Sequence, residues 1–146
     1  MALQEAFLMG LCLLSMSAIH ISHTQRPHAF QRKYVTLLEN MDHNRCNSEM
    51  RNKRIALTRS GCKRFNTFIH APKKFIDYTC IMGQPYVIKN LEYKKSTRKF
   101  RVTSCRLSQE YVNDCKYVAE ASSWKYILVS CDQNDQPVHL AGTLNW

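Results

Sequence analysis

The stretch Cys62-Lys63-Arg64-Phe65-Asn66-Thr67-Phe68-Ile69-His70 decides the fold of this chain. Aromatic and β-branched residues fill its second half, from Phe65 to His70, and such residues favour a pleated strand. Ala71-Pro72 then ends the strand, because proline has no backbone N–H to donate to a neighbouring strand. The sequence therefore predicts a β-strand that begins just after a cysteine and a lysine.

Helical patterns lie on both sides of this strand. Tyr34, Leu37, Leu38 and Met41 fall at i, i+3, i+4 and i+7, which predicts an amphipathic helix over Arg32–Met41. Upstream, the polar stretch from residue 25 to 32 contains a proline and indicates a loose arm. A second helix is predicted over residues 46–57 and a short third one over residues 75–80.

Strand patterns dominate the rest of the chain. Residues 127, 129 and 131 alternate with residues 126, 128 and 130, as a strand requires. The strand candidates after the third helix are Tyr86–Ile88, Lys99–Leu107, Cys115–Ala119 and Trp124–Cys131. Helices first and strands later indicate an α+β fold.

The N-terminus is predicted to be a signal peptide. Residues 1–17 are mostly apolar, carry no Lys or Arg, and are too short for the ~20 residues of a membrane-spanning helix. Small residues at Ser22 and Thr24 favour cleavage after Thr24, which leaves a single domain over residues 25–146. An uncleaved anchor is the alternative. The prediction is a protein secreted to the extracellular space.

The predicted mature chain is strongly basic. All 21 Lys and Arg residues follow Thr24, whereas Glu5 is lost with the leader, so 10 acidic residues remain and the net charge is +11. Such an excess favours polyanionic partners, namely RNA, DNA, glycans or anionic membranes.

Six cysteines remain after the leader, an even number that predicts a disulfide framework in an exported domain. Fifteen pairings are possible, and spacing does not choose among them. No Cys-x-x-Cys pair occurs, which argues against a zinc or redox site, and we predict no metal and no cofactor. The six are Cys46, Cys62, Cys80, Cys105, Cys115 and Cys131.

Two motifs carry a family resemblance. The stretch from Cys62 contains Cys-Lys-x-x-Asn-Thr-Phe, and Pro137-Val138-His139-Leu140 lies near the C-terminus. Both resemble signatures of the pancreatic ribonuclease superfamily, which includes angiogenin, and the six cysteines follow its order. The resemblance implies a V-shaped antiparallel sheet with three helices and three disulfides. The implied bridges are Cys46–Cys105, Cys62–Cys115 and Cys80–Cys131.

The resemblance also implies a reaction, cleavage of RNA without a cofactor. In that family one His takes the proton of the ribose 2′-OH, a second His protonates the leaving 5′-oxygen, and a Lys stabilises the transition state. By resemblance, His139 is the acid and Lys63 the electrostatic group. Asn40, Asn66 and Thr67 are expected in substrate binding, with Thr67 reading a pyrimidine base, while Phe68 and His70 match mainly structural positions.

The first histidine of the family is missing from the predicted first helix. It should lie one turn past an aromatic or large apolar residue. Met41 occupies that place if Leu37 is the buried anchor, and Asn40 occupies it if Met41-Asp42 matches the Met-Asp of the family. Neither side chain acts as a base at neutral pH. His43 would face away from Met41 on a helix by about 200°, and His28 lies upstream on the arm.

A second departure concerns the acid. The family has an Asp two residues after the terminal His, whereas this chain has Ala141. The group that orients the imidazole is therefore lost. Together with the missing base, this predicts weak or absent cleavage.

Two basic clusters are candidate binding surfaces, each with a solvated face as the alternative. The function predicted is binding of RNA or other polyanions with weak or absent cleavage. The alternatives are a low-rate, pyrimidine-preferring endoribonuclease, or a cationic host-defence or angiogenin-like signalling protein acting on membranes, glycans or a receptor. A ribonuclease inhibitor is a further possible partner, and a monomer is expected. The clusters are Arg51, Lys53 and Arg54, and Lys94, Lys95, Arg98, Lys99 and Arg101.

Overall fold

The computed structural model describes residues 25–146, so the predicted signal peptide lies outside the described residues. Three helices and ten strands occupy this range. The helices are α1 (Gln25–Tyr34), α2 (His43–Asn52) and α3 (Lys73–Met82). The strands are β1 (Val35–Thr36), β2 (Leu57–Thr58), β3 (Gly61–Cys62), β4 (Phe65–His70), β5 (Gln84–Ile88), β6 (Leu91–Lys95), β7 (Phe100–Tyr111), β8 (Asp114–Ala119), β9 (Ser123–Cys131) and β10 (Pro137–Leu144).

The strands form one large sheet and one small ribbon. The main path runs β1-β4-β7-β9-β6-β5, with β8 beside β7 and β10 beside β9, while β2 and β3 pair separately. The pairs are antiparallel except that β1 runs parallel to β4, with Val35 opposite Ile69. The predicted α+β class with three helices is therefore confirmed, and the sheet is mixed rather than purely antiparallel.

The predictions for the first helix are wrong. The stretch expected to be a loose arm forms α1, which ends at Tyr34, and the second half of the predicted Arg32–Met41 helix is not helical. Val35 and Thr36 pair with β4 instead, and because of this long-range pairing the backbone there is extended rather than helical. Leu37, predicted on the buried face, is 78% exposed.

The other two helices are shifted rather than absent. Helix α2 begins three residues before the predicted start because Asp42 caps it, its carboxylate accepting from Arg45 N at 2.9 Å. Helix α3 is longer than predicted and ends at Gly83. A Cβ at that glycine would lie 2.2 Å from the Thr79 carbonyl oxygen, so no larger residue fits there without a shift.

Strands β6 and β10 were not predicted. Strand β6 is the return arm of a hairpin with β5, and its turn residues Lys89 and Asn90 both have positive φ (48° and 66°). Two such residues are typical of the tight turn whose twist matches a hairpin. Strand β10 pairs along β9 with two register irregularities and carries His139.

Two hydrophobic clusters lie on opposite faces of β4, because successive side chains of a strand point to opposite sides. Ile69 belongs to the first cluster with α1, α3, β9 and β10, whereas Phe68 belongs to the second with α2, β7 and β8. The three implied disulfides are confirmed: Cys46–Cys105, Cys62–Cys115 and Cys80–Cys131. No helix among residues 25–146 is long and apolar enough to cross a membrane.

Candidate active site and nucleic-acid interface

Lys63 sits in a short connection whose backbone is held from two sides. Its N–H donates to the Ala56 carbonyl at 2.7 Å, and its own carbonyl accepts from the Tyr117 hydroxyl at 2.6 Å. The ammonium is half-buried and donates to Asn66 Oδ1 at 2.8 Å. Burial lowers the pKa of Lys63, and the nearby charge of Lys33 lowers it further. The fold thus holds a partly desolvated cation in one place.

Asn66 links that cation to the end of α1. Its side chain is 2% exposed, and its amide Nδ2 donates to the Lys33 carbonyl at 2.8 Å. One buried amide therefore satisfies both the Lys63 ammonium and a carbonyl of the last helical turn, where no partner exists within the helix. The Lys63 head group and the end of α1 are fixed relative to each other.

Tyr34, the last residue of α1, lies between Lys63 and His139. Its ring is 9% exposed and packs 5.1 Å from the Phe30 ring, one helical turn earlier. The Lys63 Nζ lies 5.5 Å from the Tyr34 ring centre, and the His139 ring lies 6.4 Å away, edge-on. Burial raises the pKa of the Tyr34 phenol, so the hydroxyl is protonated at neutral pH and donates rather than accepts a proton.

His139 is exposed on β10, opposite Ser130 of β9. No hydrogen bond to its imidazole occurs among residues 25–146, and Ala141, two residues on, offers no polar group. The ring is thus positioned by the strand and lies near the Tyr34 ring rather than against a polar partner. Such an imidazole can donate a proton or bind a phosphate, but neither nitrogen is fixed as the donor.

Thr67 is half-buried on β4. Its hydroxyl is 3.0 Å from the Ser104 hydroxyl of β7, directly across the ladder. Phe65, on the same face of β4, is 48% exposed, and Arg106 stands opposite it. Two hydroxyls, an aromatic ring and a guanidinium are groups that hydrogen-bond or stack with a nucleobase.

Asn40 and Met41, the predicted occupants of the first histidine's place, lie in other surroundings. Met41 is 8% exposed in the second cluster, with its sulfur 3.6 Å from Cys105 Sγ. Asn40 is exposed, and its Oδ1 accepts from the Arg101 guanidinium at 3.0 Å. Neither side chain joins Lys63 and Tyr34.

The other histidines have structural contacts or lie apart. The Nδ1 of His43 accepts from Ala119 N at 2.7 Å, which ties α2 to the end of β8. His28 is exposed on α1. His70 bonds the Leu38 carbonyl through Nδ1 and the Thr103 hydroxyl through Nε2, so its ring is engaged in the scaffold.

The basic clusters divide into structural and exposed cations. Lys53 donates to the Val35 carbonyl at 2.6 Å and pairs with Glu49 at 2.7 Å, and Arg101 donates to the Glu39 carbonyl at 2.8 Å. Arg51 is exposed on α2. In the second cluster, Lys94 and Lys95 lie at the base of the β5–β6 hairpin, Lys99 lies 5.6 Å from the Tyr126 ring centre, and Arg98 packs over the Phe75 and Phe100 rings.

Tyr34 was missed by the sequence reasoning although a signal for it exists. Phe30 and Tyr34 are four residues apart, which is one turn past an aromatic residue, the criterion applied to Leu37 and Met41. Because apolar residues continue at helical spacing from Tyr34 to Met41, the helix was predicted too late in the chain. Within the described range no group of three or more His, Cys, Asp or Glu is placed to hold a metal.

Comparison with known proteins places this geometry in a family. The family described as Pancreatic ribonuclease matches residues 25–141. The chain is 38% identical over 100 residues to the alpha-type pancreatic ribonuclease of Rattus fuscipes, which covers 65% of this chain and 64% of that protein. It is 40% identical over 98 residues to angiogenin of Rhinopithecus avunculus, covering 65% and 62%.

These matches therefore span less than two thirds of each relative's length. Among solved structures, green turtle egg white ribonuclease superposes with a TM-score of 0.67 at 28% identity. That superposition covers 82% of this chain and 98% of the turtle protein.

Proposed function

The chain belongs to the pancreatic ribonuclease family, and from that premise we propose that it is a secreted RNA-binding member whose own cleavage of RNA is weak or absent. The observation that carries the proposal is Tyr34, a buried and protonated phenol between Lys63 and His139. Phosphodiester cleavage by this family's chemistry needs a base at such a point, to take the 2′-OH proton.

Tyr34 meets the positional requirement for that base but not the chemical one. It stands one turn past the aromatic Phe30, on the first helix, with its ring centre 6.4 Å from that of the acid candidate His139. A phenol of ordinary pKa is ionised to only about 0.1% at pH 7, and burial of Tyr34 lowers that fraction further. The missing proton acceptor costs about 10²–10⁴ in rate.

The groups that bind a phosphate and a base do not depend on this acceptor. The Asn66 side chain fixes the Lys63 ammonium, and the exposed His139 lies nearby. Thr67 and Ser104 present hydroxyls on the adjoining strands. Binding of RNA therefore needs no further group, and the excess of 21 basic over 11 acidic residues attracts polyanions over a longer range.

Secretion is part of the proposal. It rests on the apolar leader before residue 25 and on the three disulfides, which form and persist in oxidising compartments. Members of this family are typically secreted, which supports the same destination.

Cleavage of RNA by the oxidised protein is the first test. We expect turnover of a dinucleotide or tRNA at least about 100-fold below that of an active relative assayed in parallel. His139→Ala identifies any cleavage that comes from this site rather than from a contaminant. A rate equal to the active relative, abolished by His139→Ala, would overturn the proposal, and loss of that rate in Tyr34→Phe would identify the phenol as the base.

Binding to a short single-stranded RNA is the second test. Lys63→Gln should weaken binding and reduce the slope of log K against log salt by about 0.7, the value for one phosphate contact on a single strand. Lys116→Gln is the matched control, because it removes the same charge from an exposed ion pair with Asp114. Equal losses in the two variants would mean that Lys63 contributes only bulk charge.

A further inference from the structure

The β5–β6 hairpin projects from the sheet. Only Lys94 and Lys95, at its base, pair with β9, whereas residues 84–93 pair only with each other in the described part of the chain. A two-stranded ribbon without a third strand is marginal on its own, so its outer half has little to pack against. The side chains at its end are nevertheless apolar: Val87, Ile88 and Leu91 are 65%, 39% and 60% exposed.

One face of the hairpin has its residue types in a graded order. Residues directly opposite each other share a face, so the pairs Ile88–Leu91, Tyr86–Tyr93 and Gln84–Lys95 follow one another from tip to base. The sequence along this face is thus aliphatic, then tyrosine, then lysine. Glu92 stands opposite Val87 on the other face, so the acidic side chain is not part of this gradient.

Beyond the base of the hairpin, aromatic and cationic side chains lie next to Lys95. Lys95 Nζ lies 4.6 Å from the Tyr126 ring centre and 5.7 Å from that of Trp146, and Lys99 Nζ lies 5.6 Å from Tyr126. Trp146 is 71% exposed. Lys94 stands on the other face of the hairpin, opposite Pro85, and Arg98 packs over the Phe75 and Phe100 rings.

This order matches the depth profile of a membrane interface. Aliphatic side chains enter the hydrocarbon, Tyr and Trp are enriched at the headgroup level, and Lys or Arg extend to the surface, where anionic lipids attract them. We propose that the β5–β6 hairpin is a membrane-binding finger that inserts Ile88 and Leu91 into a bilayer containing anionic lipid. The proposal does not depend on RNA binding or catalysis, because it uses none of the residues around Tyr34.

Charge complementarity selects the bilayer over other occupants. Lys95 and Lys99 lie together against Tyr126 at the base of the finger, and Lys89 is a cation at its turn. A single-stranded nucleic acid would use the lysines and the aromatic rings but would leave the aliphatic tip in water. A bilayer accommodates all three zones, so the tip distinguishes the two.

The chain contains a second exposed apolar hairpin tip that serves as a control. The turn between β7 and β8 carries Tyr111 and Val112, which are 57% and 93% exposed. Its flanking charges are Glu110 and Asp114, on the pair of strands next to the turn. An apolar tip without cations should not bind an anionic surface.

The experiment measures co-sedimentation of the oxidised full protein with vesicles of phosphatidylcholine, alone or with phosphatidylserine. The chain has two tryptophans, Trp124 and Trp146. Insertion should therefore shift their emission to the blue, and brominated acyl chains should quench it. We expect binding only to the vesicles that contain phosphatidylserine, with both fluorescence changes.

The informative variant is Ile88→Thr with Leu91→Thr. A cross-strand threonine pair keeps the β propensity of the hairpin and should weaken vesicle partitioning by about tenfold or more. Val112→Thr should change it by less than about twofold. Affinity for a short single-stranded RNA should be unchanged in both variants, which separates this proposal from the proposed function.

Three results would overturn the inference. The first is an absence of binding to phosphatidylserine vesicles, and the second is equal binding by the wild type and the Ile88→Thr/Leu91→Thr variant, which would show electrostatic adsorption alone. The third is a loss of RNA affinity in that variant that parallels its loss of lipid binding, which would assign the hairpin to nucleic acid.

Discussion

Tyr34→His is the substitution that tests the account of the active site most directly. It replaces a protonated phenol with an imidazole at the end of α1, between Lys63 and His139. The backbone position is held by the Asn66 amide, which bonds the neighbouring Lys33 carbonyl. The variant should therefore gain ribonuclease activity rather than lose it.

The size of the gain follows from the two acid–base groups. At pH 7 about three quarters of an ordinary imidazole is neutral, whereas about 0.1% of an ordinary phenol is ionised, and burial of Tyr34 disfavours its ionised form further. The proton acceptor is thus about 10³ times more available in the variant. Because Ala141 leaves the His139 imidazole unoriented, we expect an increase of about 10²–10³ in kcat/KM, within the range of one acid–base group.

The assay is dinucleotide cleavage at several pH values, with Tyr34→Phe as the size-matched control. Cleavage by the wild type needs the phenolate and a protonated acid in the same molecule, so its residual rate should stay low at every pH. The histidine variant should have its highest rate near neutral pH, and adding His139→Ala should abolish its gain. A folded histidine variant that binds RNA yet cleaves it no faster than the wild type would refute the placement of Tyr34 at the base position.

Three further predictions concern stability. Burial raises the pKa of Tyr117 to about 12, and Glu110 adds a smaller effect. The stability that this phenol contributes is complete below pH 10 and falls as pH rises toward 12. In Tyr117→Phe the free energy of unfolding in urea should therefore depend less on pH over that window. Lys53→Gln loses a hydrogen bond and an ion pair, and should lower the unfolding free energy by about 1–2 kcal/mol. Arg51→Gln, at an exposed position, should change it by less than about 0.5 kcal/mol. Equal effects of the two substitutions would contradict the structural role of Lys53. Replacing Cys80 and Cys131 with alanine removes their disulfide and should lower the unfolding free energy by about 4 kcal/mol, because the bridge spans 51 residues. Unfolding is measured without reductant, and an unchanged denaturation midpoint would contradict this.

Local patterns in the sequence were sufficient for most of the scaffold. The stretch from Phe65 to His70 forms β4 with the predicted bounds, because its β-branched and aromatic residues suit a strand that is buried on both faces. The two motifs and the cysteine order were sufficient for the family, and through it for the disulfide pairing. Lys63 and Asn66 come together as neighbours on the chain, so their hydrogen bond is a local property.

The first helix shows where local patterns fail. The spacing of Tyr34, Leu37, Leu38 and Met41 satisfies a helix, yet Tyr34 packs in one cluster, Met41 in the other, and Leu37 in neither. The parallel pairing of Val35 with Ile69 separates them, and a contact between residues 34 positions apart leaves no periodic trace in the sequence.

The sequence by itself was sufficient for the family, the charge and the disulfide-bonded α+β scaffold, and it predicted Lys63, Thr67 and His139 as site residues. The tertiary structure decided which residue stands beside them, because α1 is positioned by β1 and by the Asn66 amide rather than by its own periodicity. It also decided that Ile88 and Leu91 lie at the tip of a projecting hairpin, since exposure depends on the absence of a neighbouring strand rather than on the residues themselves.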